Sequence, residues 1–341
     1  MTNPAVTIHR YPDGVRGIVP AGAPTVLDGD VGADTMVLEV VGGHLTWNVL
    51  AGQELPAAVI ADVDLAQEWV WAIYGEPIAL ALDDDLAVEV PATPGLPALA
   101  VSARRLAYAH WASRWWPAST LDGIATLDPA LLDRDIATLT EACEALVDGA
   151  DAEPPVVRAE ILGRASDYAL AAGDEPESPG ALVLARGTGG WDWRHCPPGL
   201  VDASEQAVAW QLIRDAGTTT VAVRVAAHPA LPADLPAHLR PWARIETGGG
   251  SIESELHAYG DTWFAEAHLT TAPATVTVTI HLPGFGPEPA PDAGPGTELR
   301  RRVREFATAR LRDSGNLSDP DRDAFSPLLA EIAAAAEDSD F

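Results

Sequence analysis

The 341-residue chain carries 50 acidic and 21 basic residues, a formal net charge of −29, and 47% of its residues are hydrophobic. All of the basic residues are arginine, so the lysine that P-loop proteins, Schiff-base enzymes and protein kinases need does not occur in this sequence. A chain this acidic repels the phosphates of nucleic acids and anionic membrane surfaces. We therefore expect neither a nucleic acid nor a membrane as a partner.

Two cysteines, Cys143 and Cys196, are too few for a disulfide framework in a chain of this length. The opening residues, MTNPAVTIHRYPDG, lack the basic start and the apolar run of a signal peptide. No apolar segment reaches the roughly 20 residues that a membrane span needs. These features predict a cytoplasmic protein with length for about two or three domains.

Residues 1–98 are predicted to form a β-rich domain, because short apolar runs alternate with Gly, Pro and Asp. The glycines of Val41-Gly42-Gly43-His44 favour a hairpin turn. The predicted strands are Ala5–His9, Met36–Val41, His44–Leu50, Ala57–Val63, Ile78–Leu82 and Leu86–Val90. One helical insertion is predicted over Leu65–Tyr74, with Asp64 as a candidate cap.

The segment Val101–Ser119 is predicted to be a helix that Pro117 ends. Helical spacing places four aromatic residues on or beside one face: Tyr108, Trp111, Trp115 and Trp116. Each such ring buries roughly 150–250 Å² when it is covered. We expect the flanking β-rich parts to pack against this helix.

Two more helices would complete a small bundle over residues 99–173. The first starts at Asp128 as N-cap with Pro129 in the first helical position, and ends at Gly149. The second runs from Pro155 to Ala172. Residues 173–180 have the acidic, glycine-containing composition of a linker.

Residues 181–283 are predicted to form an antiparallel β-sandwich. Valine alternates with other residues over Thr219–Val225, which is typical of a strand with one buried face. The other predicted strands are Ala207–Ile213, Leu239–Glu246, Ser251–Ala258, Thr262–Leu269 and Thr275–His281. The whole chain is thus expected to be an α+β protein, with C-terminal helices after the sandwich.

A proline- and glycine-rich linker, residues 284–296, precedes the C-terminal helical part, residues 297–341. An amphipathic helix is predicted over Thr297–Arg312 and an apolar helix over Pro327–Ala336. Six arginines crowd the first helix: Arg300, Arg301, Arg302, Arg304, Arg310 and Arg312. This helix either lies on the acidic body of its own chain, or docks in an acidic groove of a partner with Phe306 as anchor, or binds nucleic acid. In the docking case, deletion of residues 284–341 leaves the body folded and abolishes partner binding.

Chemistry-bearing residues are sparse. Cys196 would be the nucleophile of a thiol-dependent hydrolase if His257 or His268 lay beside it as the base. A small-ligand module is a further alternative, with a pocket lined by tryptophans: Trp191, Trp193, Trp242 or Trp263. The sequence contains no HExxH motif and no CxxC pair, so no metal and no cofactor are expected.

Three segments resemble parts of uncharacterised actinobacterial proteins: HWASRWWPAS (residues 110–119), LDPALLD (127–133) and WDWRHCPPGLVDASEQAVAW (191–210). Those proteins are associated with operons that contain a MoxR-type AAA+ ATPase and a von Willebrand A-domain protein. The resemblance implies an accessory role in chaperone-like assembly or in a biological conflict system. Its motifs are aromatic and structural, so it assigns no catalytic residue.

The sequence therefore favours a non-enzymatic cytoplasmic accessory or scaffold protein that binds protein partners. The expected binding residues belong to the aromatic helix and to the C-terminal arginine helix: Tyr108, Trp111, Trp115, Trp116, Arg300, Arg301, Arg304 and Phe306.

Overall fold

A computed structural model describes residues 4–27, 32–82, 89–147, 181–232, 234–285, 296–315 and 326–338. Helices and antiparallel sheets occur together in it, which confirms the predicted α+β class. The chain divides into two compact units. The first contains Met1–Trp116, Leu127–Pro154 and Glu305–Phe341, and the second contains Pro117–Thr126 and Pro155–Arg304.

The first unit contains a six-stranded antiparallel sheet with the order β3-β4-β5-β2-β1-β6. Its strands are β1 (Ala5–Arg10), β2 (Arg16–Pro20), β3 (Thr35–Val40), β4 (Gly43–Asn48), β5 (Ala57–Ile60) and β6 (Glu89–Pro91). Four of the predicted strands are confirmed as β1, β3, β4 and β5, whereas β2 was not predicted. The glycine turn between β3 and β4 is also confirmed, and Gly42 adopts the positive φ of 75° that such a turn requires.

The described helices are α1 (Val63–Tyr74), α2 (Glu76–Ala81), α3 (Pro97–Trp115), α4 (Pro129–Ala142), α5 (Glu144–Val147), α6 (Gly296–Ser314) and α7 (Leu329–Asp338). The boundary between the two units falls within α6, after Arg304. The strand predicted over Ile78–Leu82 is wrong, because this segment belongs to α2 and the loop after it. Pro77 in the first helical turn starts α2, and a short apolar run does not by itself distinguish helix from strand.

The N-caps of two helices lie near their predicted positions. Asp128 caps α4 by accepting a hydrogen bond of 2.8 Å from the backbone N–H of Ala130, as predicted. Helix α1 is capped by Asp62 rather than Asp64, through a 3.1 Å bond from the N–H of Leu65. Helix α4 ends at Ala142 and not at Gly149.

Helix α3 packs against strand β3 and helix α4. The first unit therefore contains the N-terminal sheet together with α3 and α4. The helix predicted over residues 155–172 and the linker over 173–180 lie outside the described residues, as does most of the linker predicted over 284–296.

The second unit contains two antiparallel sheets. One has the order β11-β10-β14 and the other the order β12-β13-β9-β8-β7. Their strands are β7 (Leu182–Gly189), β8 (Val208–Asp215), β9 (Thr218–Ala226), β10 (Trp242–Thr247), β11 (Gly250–Glu255), β12 (His257–Tyr259), β13 (Thr262–Leu269) and β14 (Val276–His281). The antiparallel character predicted for this region is confirmed, but β7 was not predicted.

The predicted two-residue periodicity is confirmed on β9, where Val221, Val223 and Val225 are buried. Their cross-strand neighbours on β13 include Trp263 and Ala265, which are buried on the same face of the sheet. This face forms a core of the second unit. Within the described residues, we find no helix that is both long enough and apolar enough to cross a membrane.

Candidate functional site

The aromatic residues of α3 lie in the core of the first unit. The rings of Tyr108 and Trp111 stack with a centroid distance of 5.6 Å, and the two residues are only 1% and 3% exposed. Phe306 of α6 contacts both rings edge-on, at 6.1 and 5.9 Å. The indole N–H of Trp111 donates a 2.7 Å hydrogen bond to the carbonyl of Ala33. These three predicted binding residues therefore contact one another inside the unit.

The remaining aromatic residues of this segment differ in exposure. Trp116 is buried. Trp115 is half-buried, and the guanidinium carbon of Arg114 lies 5.5 Å from its ring centroid. Of the four aromatic residues predicted to bind a partner, only Trp115 thus retains substantial exposed surface.

A buried ionic cluster joins α3, α6 and α7. Glu331 is fully buried and accepts hydrogen bonds from Arg310 Nε (2.8 Å), Arg310 Nη2 (2.6 Å) and the hydroxyl of Tyr108 (2.6 Å). The backbone N–H of Leu328 also donates to this carboxylate at 2.8 Å, as in half of a capping box. Burial, and then the charge of Glu331, raise the pKa of Tyr108 well above its usual value, so the phenol stays protonated and donates.

Helix α7 is also capped by a residue of another helix. Asp135 of α4 accepts a 2.8 Å hydrogen bond from the backbone N–H of Leu329 at the start of α7. A carboxylate at this position satisfies a donor that the helix cannot pair internally, and it interacts favourably with the helix dipole. The position of α7 within the first unit is thus set by polar contacts as well as by packing.

The predicted arginine residues of α6 are also engaged within the chain. Arg300 Nε donates to Glu205 Oε1 at 2.7 Å, and Arg304 lies 3.1 Å from the same oxygen and 3.2 Å from Asp122 Oδ2. Burial alone raises the pKa of Glu205, but the hydrogen bonds and charges of the two arginines outweigh it and lower the value. Arg301 is exposed and pairs with Glu298. Arg300 and Arg304 thus pair with acidic residues of their own chain, which was the first of the three alternatives for this helix.

These contacts change the expected outcome of deleting residues 284–341. The deletion removes Phe306, Arg310 and Glu331, and it strips their contacts from Tyr108 and Trp111. We therefore expect the deletion to unfold the first unit, contrary to our prediction from the sequence that the body would stay folded.

The thiol-dependent hydrolase is not supported by the positions of its residues. Cys196 is fully buried, and burial raises the pKa of its thiol, which disfavours the thiolate nucleophile. His257 and His268 are exposed on β12 and β13, and His268 Nδ1 lies 3.1 Å from the hydroxyl of Thr220. Among the described residues no hydrogen bond joins the Cys196 thiol to a histidine. The structure does not bring the predicted nucleophile and base together.

Most of the tryptophans predicted to line a ligand pocket belong to the core. Trp191, Trp193 and Trp263 are buried. The indole N–H of Trp191 donates to the carbonyl of Asp202 at 2.9 Å, and that of Trp263 to the carbonyl of Leu200 at 2.7 Å. Because these N–H groups are paired within the second unit, they are not offered to a ligand. Trp242 is half-buried on β10.

Two nearly buried histidines each lie close to a carboxylate, and neither was among the predicted site residues. His195 Nε2 lies 3.6 Å from Asp192 Oδ2, and His281 Nε2 lies 3.4 Å from Glu253 Oε2. The Nδ1 atom of each ring is buried and has no hydrogen-bond partner within the described ranges. In that part of the chain, no group of three or more His, Cys, Asp or Glu residues is arranged to hold a metal ion.

The edge of the five-stranded sheet exposes aliphatic residues at strand β7. In the described part of the chain β7 pairs only with β8, so its other edge faces no strand. Leu182, Val183 and Leu184 are 60%, 43% and 38% exposed, although they are consecutive residues of one strand. Soluble proteins normally shield such an edge with charged residues, proline or a covering element.

A β-bulge at Leu184 determines which face each side chain occupies. Val183 pairs with Ile213 and Ala185 pairs with Leu212, so Leu184 is the extra residue. Leu212 is buried on the core face of the sheet, whereas Ile213 belongs to the outer face. Leu182 and Val183 therefore lie on opposite faces, and aliphatic surface is exposed on both.

Beyond the bulge, small residues of β7 accommodate the indole of Trp210. A Cβ added to Gly187 would lie 2.7 Å from atoms of the Trp210 ring, so the ring occupies the space of the missing side chain. Trp210 is only partly buried. Arg186 on β7 and Arg214 on β8 are exposed nearby. We call the residues Leu182, Val183, Leu184, Arg186, Trp210 and Arg214 the β7 edge.

Comparison with known proteins does not identify this chain: it matches no protein family, no curated protein sequence and no solved structure.

Proposed function

We propose that this chain is a non-enzymatic accessory or scaffold protein that binds a protein partner at the β7 edge. The observation that carries the proposal is the exposure of Leu182, Val183 and Leu184 on an edge strand. Covering a fully exposed leucine or valine contributes roughly 1.5–3 kcal/mol, so three partly exposed ones supply a useful share of a binding free energy.

The aromatic helix and the arginine helix are less suited to this role than we predicted. Tyr108, Trp111 and Phe306 contact one another, and Arg300 and Arg304 bind Glu205. A partner would have to break these contacts before it could use the same side chains. Leu182, Val183 and Leu184 are exposed without any such rearrangement.

A catalytic role has little support among the described residues. The candidate thiol is buried away from a histidine base, and the buried carboxylates Asp202 and Glu331 accept hydrogen bonds within the fold. A cytoplasmic location and membership of an ATPase-linked or conflict system are parts of the proposal that rest on sequence composition and on the actinobacterial resemblance.

Site-specific photo-crosslinking in the native host tests the proposal. A photoreactive amino acid replaces Leu184 in one strain and Leu80, which is 67% exposed on α2, in a control strain. We expect a discrete crosslinked partner from position 184 only. That partner, purified separately, should bind the wild-type chain and the L80E variant but not the L182E/L184E variant.

Two results would refute the proposal. One is that the chain with the photoreactive amino acid at position 184 is folded but crosslinks to no protein. The other is that the purified partner binds L182E/L184E as tightly as the wild-type chain.

A further inference from the structure

We infer that the occupant of the β7 edge is an extended segment of the partner that adds to the sheet beside β7, with an apolar side chain on Trp210 and a carboxylate facing Arg186. This inference rests on the proposed function and specifies the chemistry of the partner.

The shape of the surface favours a strand over a helix or a flat surface. Leu182 and Val183 are exposed on opposite faces of the sheet. An occupant docked on one face would leave the other aliphatic side chain in water. A strand in the plane of the sheet reaches both faces, and its backbone pairs with the N–H and C=O groups that an edge strand leaves open.

The bulge restricts where such a strand can pair. Regular pairing with β8 resumes at Ala185 and continues to Gly189. A bulge interrupts the ladder of hydrogen bonds, so an added strand finds a regular template only at residues 185–189. Leu182, Val183 and Leu184 then contact the end of the occupant through side chains.

Trp210 supplies the apolar anchor on the core-facing side. Its ring lies over Gly187, where β7 has no side chain to cover it from the edge. A partner residue beside Gly187 would place its side chain against the indole. Aromatic residues at such positions contribute strongly to binding because they bury a large area with little loss of side-chain freedom.

Local charge defines the polar residues of the occupant. Arg186 is exposed on β7 and pairs with Gln211 on the outer face of the sheet, whereas Arg214 pairs with Leu182 before the bulge, on the core-facing side. The chain as a whole has a formal net charge of −29. At physiological ionic strength charges farther than about 8 Å are largely screened, so the net charge of the whole chain acts only weakly on a strand bound beside Arg186. In an alternating strand whose apolar side chain meets Trp210, the next residue faces Arg186, and a carboxylate there forms a charge-assisted hydrogen bond.

Three synthetic peptides test this inference: a short strand of alternating valine and glutamate, the same strand with arginine in place of glutamate, and the acidic strand with a central proline. Binding is measured by fluorescence anisotropy at physiological salt, and the binding position by amide hydrogen exchange. We expect the acidic strand to bind about tenfold more tightly than the arginine strand, and the proline strand not to bind.

Amide exchange should slow at residues 185–189, and the R186E variant should reverse the preference between the acidic and arginine strands. Equal affinities for the two charged strands, or slower amide exchange only elsewhere in the chain, would overturn the inference. If a partner crosslinks at position 184 while the peptides fail these criteria, only the strand inference falls. If no partner crosslinks, the proposed function falls as well.

Discussion

Helix α3 and strand β7 are both rich in apolar residues, yet they meet opposite environments. Tyr108 and Trp111 of α3 are covered by Phe306 and by the core of the first unit. Leu182 and Leu184 of β7 remain exposed at a sheet edge. Abundant tryptophan suggested a binding surface in the first case, whereas a short aliphatic run suggested nothing in the second. Large aromatic side chains more often identify a core, and the position of a strand in its sheet decides whether its side chains are available.

The largest expected difference between the two regions is in stability. Trp111→Ala removes a buried ring and its hydrogen bond to Ala33, so the free energy of unfolding should fall by about 3–5 kcal/mol. Leu184→Ala should change it by less than about 0.5 kcal/mol. Urea unfolding followed by tryptophan fluorescence and circular dichroism measures both. Equal losses would show that β7 is part of a core.

The polar part of the same core provides a second test. Glu331→Gln leaves Arg310 buried opposite a neutral side chain, and we expect a loss of about 3 kcal/mol. Glu337→Gln changes an exposed residue on the same helix and serves as the matched control, with an expected change below about 0.5 kcal/mol. Thermal and urea denaturation of the two variants decide the point. If Glu331→Gln leaves the free energy of unfolding unchanged, α7 contributes little to the stability of the first unit.

Acid should weaken the core of the second unit through His228. Burial lowers the pKa of this histidine from 6.5 to about 4, and its Nδ1 accepts a hydrogen bond from Ala230. Between these two values the unfolded chain binds a proton that the folded chain does not. The free energy of unfolding should therefore fall by about 1–2 kcal/mol between pH 7 and pH 5 from this residue alone.

Urea titrations at several pH values check this dependence. His228→Gln should flatten the fall in stability, whereas His268→Gln, at an exposed position of β13, should leave it unchanged. An identical pH profile for wild type and His228→Gln would show that the imidazole is solvated in the folded chain.

The smallest effect concerns an exposed position that is constrained by its backbone. Ala216 has a φ of 48° in the two-residue turn between β8 and β9 and is followed by Gly217 with a φ of 87°. Asparagine tolerates this conformation better than alanine, so Ala216→Asn should stabilise the chain by about 0.5–1 kcal/mol. Ala258→Asn, at an exposed strand position, is the control, and calorimetric melting temperatures report both.

Much of the architecture could be predicted because its signals are local. The alternation over β9 and the Asp128-Pro129 start of α4 specify their elements through neighbouring residues alone. The strand assigned to Ile78–Leu82 was wrong because a short apolar run fits either a strand or a buried helix. Strand β7 was missed because its bulge and its small residues conceal the two-residue period.

The candidate site could not be predicted because it depends on pairings between distant residues. Whether Arg300 meets Glu205 or a partner, and whether Trp111 meets Phe306 or solvent, is decided by tertiary packing. The exposure of Leu182 follows from the place of β7 at the end of the strand order, which no local pattern encodes. The run Leu182–Leu184 was the one available signal.

The extra residue at position 184 also has a consequence for self-assembly. Without it, the alternation of β7 would run unbroken from Leu182 to Gly189, and the side chains before the deletion would exchange faces. A regular, aliphatic edge strand of this kind is a template on which identical molecules stack into fibrils. We therefore expect deletion of Leu184 to make concentrated solutions of this chain more prone to polymerise.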